Sequence, residues 1–187
     1  MRNFMFILLW IAFLGVQCSQ NNSNANAAAD ATAAKETSGE TYKPTVLTSL
    51  KIEIPDTSLA KGASACLDVK VRDFVKIVSV QHSINWDAKV LKFKSVQNFQ
   101  LSNVSESNFG LTQAGEGKMG FSWYDPSIKG LDLPDGKTAY QICFDVIGNS
   151  GAESRVLVSS DPVVIEVTNN EERVLGIPTG KGRVKVQ

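Results

Sequence analysis

Between Val46 and Thr168, apolar and polar residues alternate in short runs that are separated by glycine, proline, asparagine and aspartate. A period of two residues is typical of strands that bury one face, and no stretch of this region has the 3.6-residue period of an amphipathic helix. Strands are predicted near residues 46–54, 64–72, 77–86, 89–96, 117–123, 137–147, 154–159 and 162–168. Short strands at this spacing favour an all-β fold of two packed antiparallel sheets. Residues 169–187 are predicted to form either a final hairpin or a free tail.

The same alternation predicts where two cysteines point. Alternate residues of a strand point to the same face, so positions two apart have the same parity. In the segment ACLDVKV (residues 65–71), the leucine and both valines share one parity, and Cys66 has the other. In QICFDVI (residues 141–147), the first isoleucine, the phenylalanine and the valine share one parity, and Cys143 has the other. Both cysteines therefore lie on the polar faces of their strands. If these strands are neighbours, the sulfurs face each other at a distance that suits a disulfide. The alternative is a pair of free thiols.

The N-terminus has a different pattern. Arg2 precedes an apolar run from Phe4 to Val16, which is short for a bilayer span and is typical of an export signal. The run ends at Gln17 and Cys18, and so resembles a bacterial lipoprotein signal, in which the cut precedes the cysteine and the thiol is acylated. Gln17 departs from the small residue that such signals prefer. The resemblance implies a signal peptide at 1–17 and a lipidated Cys18. The alternatives are a signal cleaved elsewhere and an uncleaved anchor.

Residues 19–45 contain no large aliphatic residue and one aromatic, Tyr42. Such a segment cannot bury enough apolar surface to offset the entropy of ordering, so 18–45 is predicted to be the lipid-bearing cysteine and a flexible linker. With Cys18 acylated, an even pair of cysteines remains, which in an exported protein indicates a disulfide. The expected location is the bacterial cell envelope, at the outer membrane, with the domain in the periplasm or at the cell surface.

Charge excludes one class of partner. The chain has 19 basic and 19 acidic side chains, and its formal net charge is zero. Bulk charge therefore gives no attraction to nucleic acid. Membrane contact is expected through the N-terminal lipid only.

Catalytic chemistry finds little support in the sequence. His82 is the only histidine of the chain, and it shares the parity of Val80 and Ile84, which predicts a place in the core. One histidine with two remaining cysteines cannot form a zinc cluster of the usual composition. The sequence has no G-x-S-x-G nucleophile motif and no glycine-rich phosphate loop. No catalytic residue and no cofactor is predicted.

One acidic loop contains residues that could bind calcium. Asp125, Asp132 and Asp135 lie in the segment YDPSIKGLDLPDG, and their oxygens are the ligands that calcium prefers. Their spacing is not that of an EF-hand, and Pro134, Asp135 and Gly136 form a typical turn sequence. No metal site is predicted there.

Two segments carry a resemblance to a known family. They are VRDFVKIVSVQHSINWDAKVLKFKSV (residues 71–96) and GKMGFSWYDPSIKGLDLPDGKTAYQICFDVIG (residues 117–148). The first is similar to the bacterial cohesin domain, which is the receptor module of cellulosomes. The shared elements are a short turn, a strand that ends in an aromatic residue and an aspartate, and a V-L-x-F sequence after it. These elements stand here as Phe74 to Ile77, Ile84, Trp86, Asp87, Val90, Leu91 and Phe93. The second resembles the family's strand, acidic loop, Asp-Gly turn and long apolar strand.

This resemblance implies a cohesin-like jelly-roll sandwich over residues 46–168, in which the strands 64–72 and 137–147 are neighbours. It also implies a non-catalytic receptor for a dockerin-like protein partner. The family's receptor face corresponds to the strand 77–86 and the segment 117–124. The candidate partner-binding residues are the outward ones, Ser79, Gln81, Ser83, Asn85 and Ser122.

Two other functions stay open on the sequence, because one sandwich can serve several. The first is binding of a carbohydrate or polysaccharide, for which a planar row of exposed aromatics would be expected. Trp123 shares the parity of core residues, whereas Tyr124 begins a loop and is a candidate for exposure. The second is a structural role in the envelope.

Overall fold

The computed structural model describes residues 49–178 and 180–187. The signal peptide, the lipidation of Cys18 and the linker 18–45 lie outside the described residues and stay predictions. Within the described part of the chain, no helix has the length and apolar character needed to cross a membrane.

Twelve strands and two short 3-10 turns make up the described region. The strands are β1 (Lys51–Glu53), β2 (Thr57–Leu59), β3 (Ser64–Arg72), β4 (Ile77–Asn85), β5 (Leu91–Gln97), β6 (Phe109–Gly110), β7 (Lys118–Tyr124), β8 (Lys137–Val146), β9 (Glu153–Ser159), β10 (Glu166–Asn169), β11 (Val174–Leu175) and β12 (Lys181–Val186). The turns are Glu106–Asn108 and Ala114–Glu116.

Two sheets form the sandwich. The first has the strand order β1-β3-β8-β5, and its pairs are antiparallel. The second has the order β11-β10-β4-β9-β12-β2. One edge of β4 pairs with β10 and β9, and its other edge pairs with β7. The pairing of β12 with β2 is parallel, an exception to the otherwise antiparallel ladders. The predicted all-β jelly-roll sandwich is confirmed.

One apolar core fills the space between the sheets, because each long strand turns alternate apolar residues inward. Its largest fully buried side chains include Trp123, Tyr140, Phe74, Phe121 and Phe144. Complete burial of such a side chain contributes about 1.5–3 kcal/mol, so the inward parity of a strand decides its register. Trp123 therefore lies where its parity predicted.

The structure differs from the prediction mainly at the ends of the domain. In the described part of the predicted strand 46–54, β1 covers Lys51–Glu53. The predicted strand 162–168 is replaced by the later strand β10, because residues 160–165 cross the outside of the second sheet. The C-terminal segment is neither a hairpin on its own nor a free tail. Its strand β12 pairs with β9 and β2, and Val184 and Val186 are each 1% exposed in the core.

A disulfide joins Cys66 and Cys143, as the parity argument predicted. The two residues are directly opposite in the β3–β8 ladder, on the outer, polar face of the first sheet. On the same face Ser64 donates to Asp145, and Gln141 donates to Asp68 at 2.8 Å. The bridge closes a loop with a sequence separation of 77, which in the chain-entropy model stabilises the fold by up to about 4 kcal/mol.

His82 lies in the core, as its parity predicted. Its ring is 1% exposed, and its Nε2 shares a 3.0 Å hydrogen bond with the Tyr140 hydroxyl, whereas Nδ1 has no partner among the described residues. Burial lowers the pKa of His82 to about 3, because no carboxylate is present to offset the loss of hydration. Burial also raises the pKa of Tyr140, so both groups are neutral at pH 7.

This buried histidine predicts acid sensitivity. The unfolded chain has a histidine pKa of about 6.5, so below that pH it binds a proton that the folded protein does not. The stability present above pH 6.5 is therefore lost as the pH falls toward 3. Between pH 7.5 and 5 we expect the free energy of unfolding in urea to fall by about 2 kcal/mol. The control is His82→Phe, in which most of this pH dependence should vanish; an unchanged pH dependence would contradict the prediction.

Candidate functional site

The outer face of the second sheet carries an open surface that we call the platform. It is formed by two rows of outward side chains that cross β7, β4, β10 and β11. The first row is Tyr124, Ser79, Thr168 and Val174, which are directly opposite one another in successive ladders. The second row is Ser122, Gln81 and Glu166. Gln81 donates to the Glu166 carboxylate at 3.3 Å, which joins two of the strands through their side chains.

The platform combines hydroxyls, one amide and one carboxylate with a few apolar side chains at its margin. Tyr124 is 68% exposed and Val174 is 40% exposed. Four strands at a spacing of about 4.8 Å give a width of about 14 Å, which exceeds the diameter of about 10–12 Å of an α-helix with its side chains. The surface is therefore broad enough to receive a helix.

The 160–165 loop closes one end of the platform. Ser83 is completely buried beneath it: the Ser83 hydroxyl donates to the carbonyl of Val163 at 2.9 Å and accepts from the amide of Val163 at 2.7 Å. Gly120 lies opposite Ser83 and leaves room for the Val163 side chain, since a Cβ at Gly120 would lie 2.5 Å from a Val163 methyl. The missing side chain of Gly120 thus allows the loop to lie flat on β4 and β7.

An ion pair fixes the loop at its start. Lys118 at the beginning of β7 pairs with Asp161, and this hydrogen bond raises the pKa of the lysine. The Asn85 side chain lies 2.9 Å from the hydroxyl of Ser159, just before the loop. The loop is therefore attached both to β7 and to the central strand β4.

The five candidate residues are divided by this loop. Ser79, Gln81 and Ser122 are on the platform, and Ser122 is exposed. Ser83 and Asn85 point to the same outer side, but the loop and the end of β9 occupy their polar groups. Their parity was therefore correct, and their access to a partner is restricted. Contact of any of these residues with a partner stays a prediction.

Several members of the platform are not among the five candidate residues predicted from the sequence. Thr168 and Val174 belong to it because β10 and β11 lie beside β4, and the pattern of residues 162–175 does not indicate that neighbour. Tyr124 had a local signal, since it ends an alternating run immediately before a loop rich in proline, serine and glycine.

The acidic loop beside β7 uses its carboxylates for its own structure. Asp125 accepts from the hydroxyl of Ser127 at 2.8 Å, and Asp132 accepts from the backbone amide and the ammonium group of Lys76, both at 2.7 Å. These hydrogen bonds lower the pKa of each carboxyl group. Asp135 accepts from the amide of Asp73 at 2.9 Å. In residues 49–178 and 180–187, no group of three His, Cys, Asp or Glu side chains is placed to hold a metal.

Comparison with known proteins defines the fold. No family model and no curated protein matches the sequence. Solved structures that are similar to it include the sixth cohesin of scaffoldin B from Acetivibrio cellulolyticus in complex with a Cel5 dockerin, at 17% identity and a TM-score of 0.63, covering 75% of this chain and 100% of that one. A non-cellulosomal cohesin from the archaeon Archaeoglobus fulgidus is similar at 16% identity and a TM-score of 0.57, covering 75% of this chain and 92% of that one.

A third similar structure is the seventh type I cohesin of ScaB from Pseudobacteroides cellulosolvens, at 17% identity and a TM-score of 0.61, covering 75% of this chain and 94% of that one. These likenesses confirm the predicted resemblance at the level of fold. The described region is a cohesin-like β-sandwich.

Proposed function

We propose that this chain carries a non-catalytic, cohesin-like module that binds a protein partner on the platform. The observation that carries the proposal is the four-strand surface, which has a single exposed aromatic ring, that of Tyr124. Modules that bind sugar chains on a planar face present a row of several exposed aromatic rings. Among the described residues, no other aromatic side chain is in the exposed class, and this favours a protein partner over a planar polysaccharide on the platform.

A helical, dockerin-like partner fits the dimensions of the platform. The platform is about 14 Å wide, which accommodates one helix. The 160–165 loop limits how far a partner can extend along β4. Support also comes from similar structures, because the scaffoldin B cohesin was crystallised with a dockerin. The hydroxyl and amide groups of Ser79, Gln81 and Ser122 would hydrogen-bond the partner, and Tyr124 and Val174 would supply apolar contact.

A charged residue on the platform should abolish capture of the partner. We would immobilise the full chain and pull down proteins from an envelope extract, with a glycan array in parallel. Ser122→Arg places a long cation in the second row, so the protein captured by the original chain should be lost. The matched control is Ser64→Arg, which makes the same change at an exposed strand serine on the outer face of the first sheet, and it should retain the partner.

Two outcomes would count against this function. In the first, the Ser122→Arg variant captures the partner protein as well as the Ser64→Arg variant does. The interface would then lie outside the platform. The second is binding of a glycan with no protein captured, which would favour the polysaccharide-binding alternative.

We further propose that the chain is a lipoprotein of the bacterial envelope, anchored through Cys18, with the domain in the periplasm or at the cell surface. The support is the apolar run that ends at Gln17 and Cys18 and the polar linker that follows. A lipidated cysteine with several acyl chains anchors a protein firmly, because each buried methylene adds about 0.8 kcal/mol. The linker would hold the module away from the lipid surface by about 30 Å.

The anchor can be tested by expressing the chain and Cys18→Ser and partitioning each between detergent and aqueous phases. We expect the original chain in the detergent phase, with a mass that includes acyl chains. Cys18→Ser should carry no acyl mass and should retain residues 1–17, whereas Cys66→Ser, as a control, should have the acylated mass of the original chain. An original chain without acyl mass, or the same acyl mass on Cys18→Ser, would contradict the proposal.

A further inference from the structure

The edge of the second sheet that is formed by β9, β12 and β2 exposes a row of cations. On β12, Lys181, Arg183 and Lys185 point outward at every second residue, while the valines between and beyond them are buried. Arg155 on β9 is directly opposite Arg183 and points to the same side. Alternate residues of a strand are about 6.8 Å apart, so the three cations of β12 extend over about 14 Å.

This row is only partly neutralised. Arg183 lies 3.4 Å from Asp56 and 3.8 Å from Glu153. In the part of the chain that the structure describes, no carboxylate lies within 4.0 Å of the charged groups of Arg155, Lys181 or Lys185. Like charges that are directly opposite on neighbouring strands repel each other. An anion bound between Arg155 and Arg183 would relieve that repulsion.

The cations line a continuous depression that we call the β12 groove. One cleft of about 490 Å³ is bordered by Ile54, Asp56, Arg155, Lys181 and Arg183. A second cleft of about 390 Å³ is bordered by Asp56, Glu153, Arg183 and Lys185. Because Asp56 and Arg183 border both clefts, the two form one groove along β12. An elongated groove with charges at a regular spacing fits a linear polyanion better than a compact ligand.

The lining of the groove favours one class of polyanion over two others. Ile54 is its one large apolar member, and it is 6% exposed. The exposed large apolar side chains of the described region, which would serve as anchors for a peptide or insert into a lipid surface, all lie outside it. They are Val75, Tyr124, Ile128, Ile147, Val164 and Val174. A flat bilayer surface would also fit poorly against cations that line a groove.

We propose that the β12 groove binds a linear polysaccharide that carries carboxylate groups. The guanidinium groups of Arg155 and Arg183 would bind sugar carboxylates, since the planar fork of arginine matches a carboxylate. Lys181 and Lys185 would contact the carboxylates on either side. The groove shares no residue with the platform, so this site is independent of the protein partner proposed above.

The test uses the full chain in mild detergent and immobilised polygalacturonate as the probe. Lys181→Gln/Lys185→Gln should weaken binding by about tenfold, which is the effect expected when two of four charge contacts are removed. The control is Lys92→Gln/Lys94→Gln, which removes the same charge from exposed lysines of β5 in the first sheet and should leave the affinity unchanged. Circular dichroism would establish that both variants are folded. The Ser122→Arg variant should bind polygalacturonate normally, which separates this site from the platform.

Other probes define what would overturn the proposal. Neutral dextran should not bind. Absence of polygalacturonate binding, or an equal loss in the Lys92→Gln/Lys94→Gln control, would exclude the groove as the site. Equal or tighter binding of polyglutamate would indicate an acidic protein as the occupant, and equal or tighter binding of phosphatidylglycerol vesicles would indicate a membrane surface. Either result would overturn the assignment to a polysaccharide.

Discussion

The pairing register of β3 and β8 is the constraint on which the other features of the domain depend. With Cys66 opposite Cys143, the inward residues of both strands, among them Val69 and Phe144, are buried. A shift of one residue would turn these apolar side chains to solvent and move the cysteines into the core. The apolar interior and the outward disulfide therefore specify the same register, and each supports the other.

The central strand β4 has the corresponding role in the second sheet. Its inner face contributes Ile84 and the neutral His82 to the core, and its outer face contributes Ser79 and Gln81 to the platform. Because β4 pairs with β7 on one edge and with β10 and β9 on the other, its outward residues lie at the middle of a wide surface. Burial on one side of β4 thus positions the surface that a partner would contact.

Local patterns were sufficient to predict the long strands, the direction of each cysteine and the burial of His82 and Trp123. They were insufficient where a feature depends on residues far apart in the chain. The parallel pair β2–β12 joins two short segments from opposite ends of the domain, and neither segment has a local signal for its neighbour. Parity placed Ser83 on the correct side, but it could not predict that the 160–165 loop covers it. The alternating cations of β12 are visible in the sequence, whereas the position of Arg155 opposite Arg183 requires the fold.

The register of β3 and β8 can be tested most directly by digesting the oxidised, alkylated protein without reductant and measuring peptide masses. This register predicts one covalent species that contains the Cys66 and Cys143 peptides, which separates into two on reduction. Alkylation of both thiols in the folded, unreduced protein, or a bridge from either cysteine to Cys18, would contradict the register and the sandwich built on it.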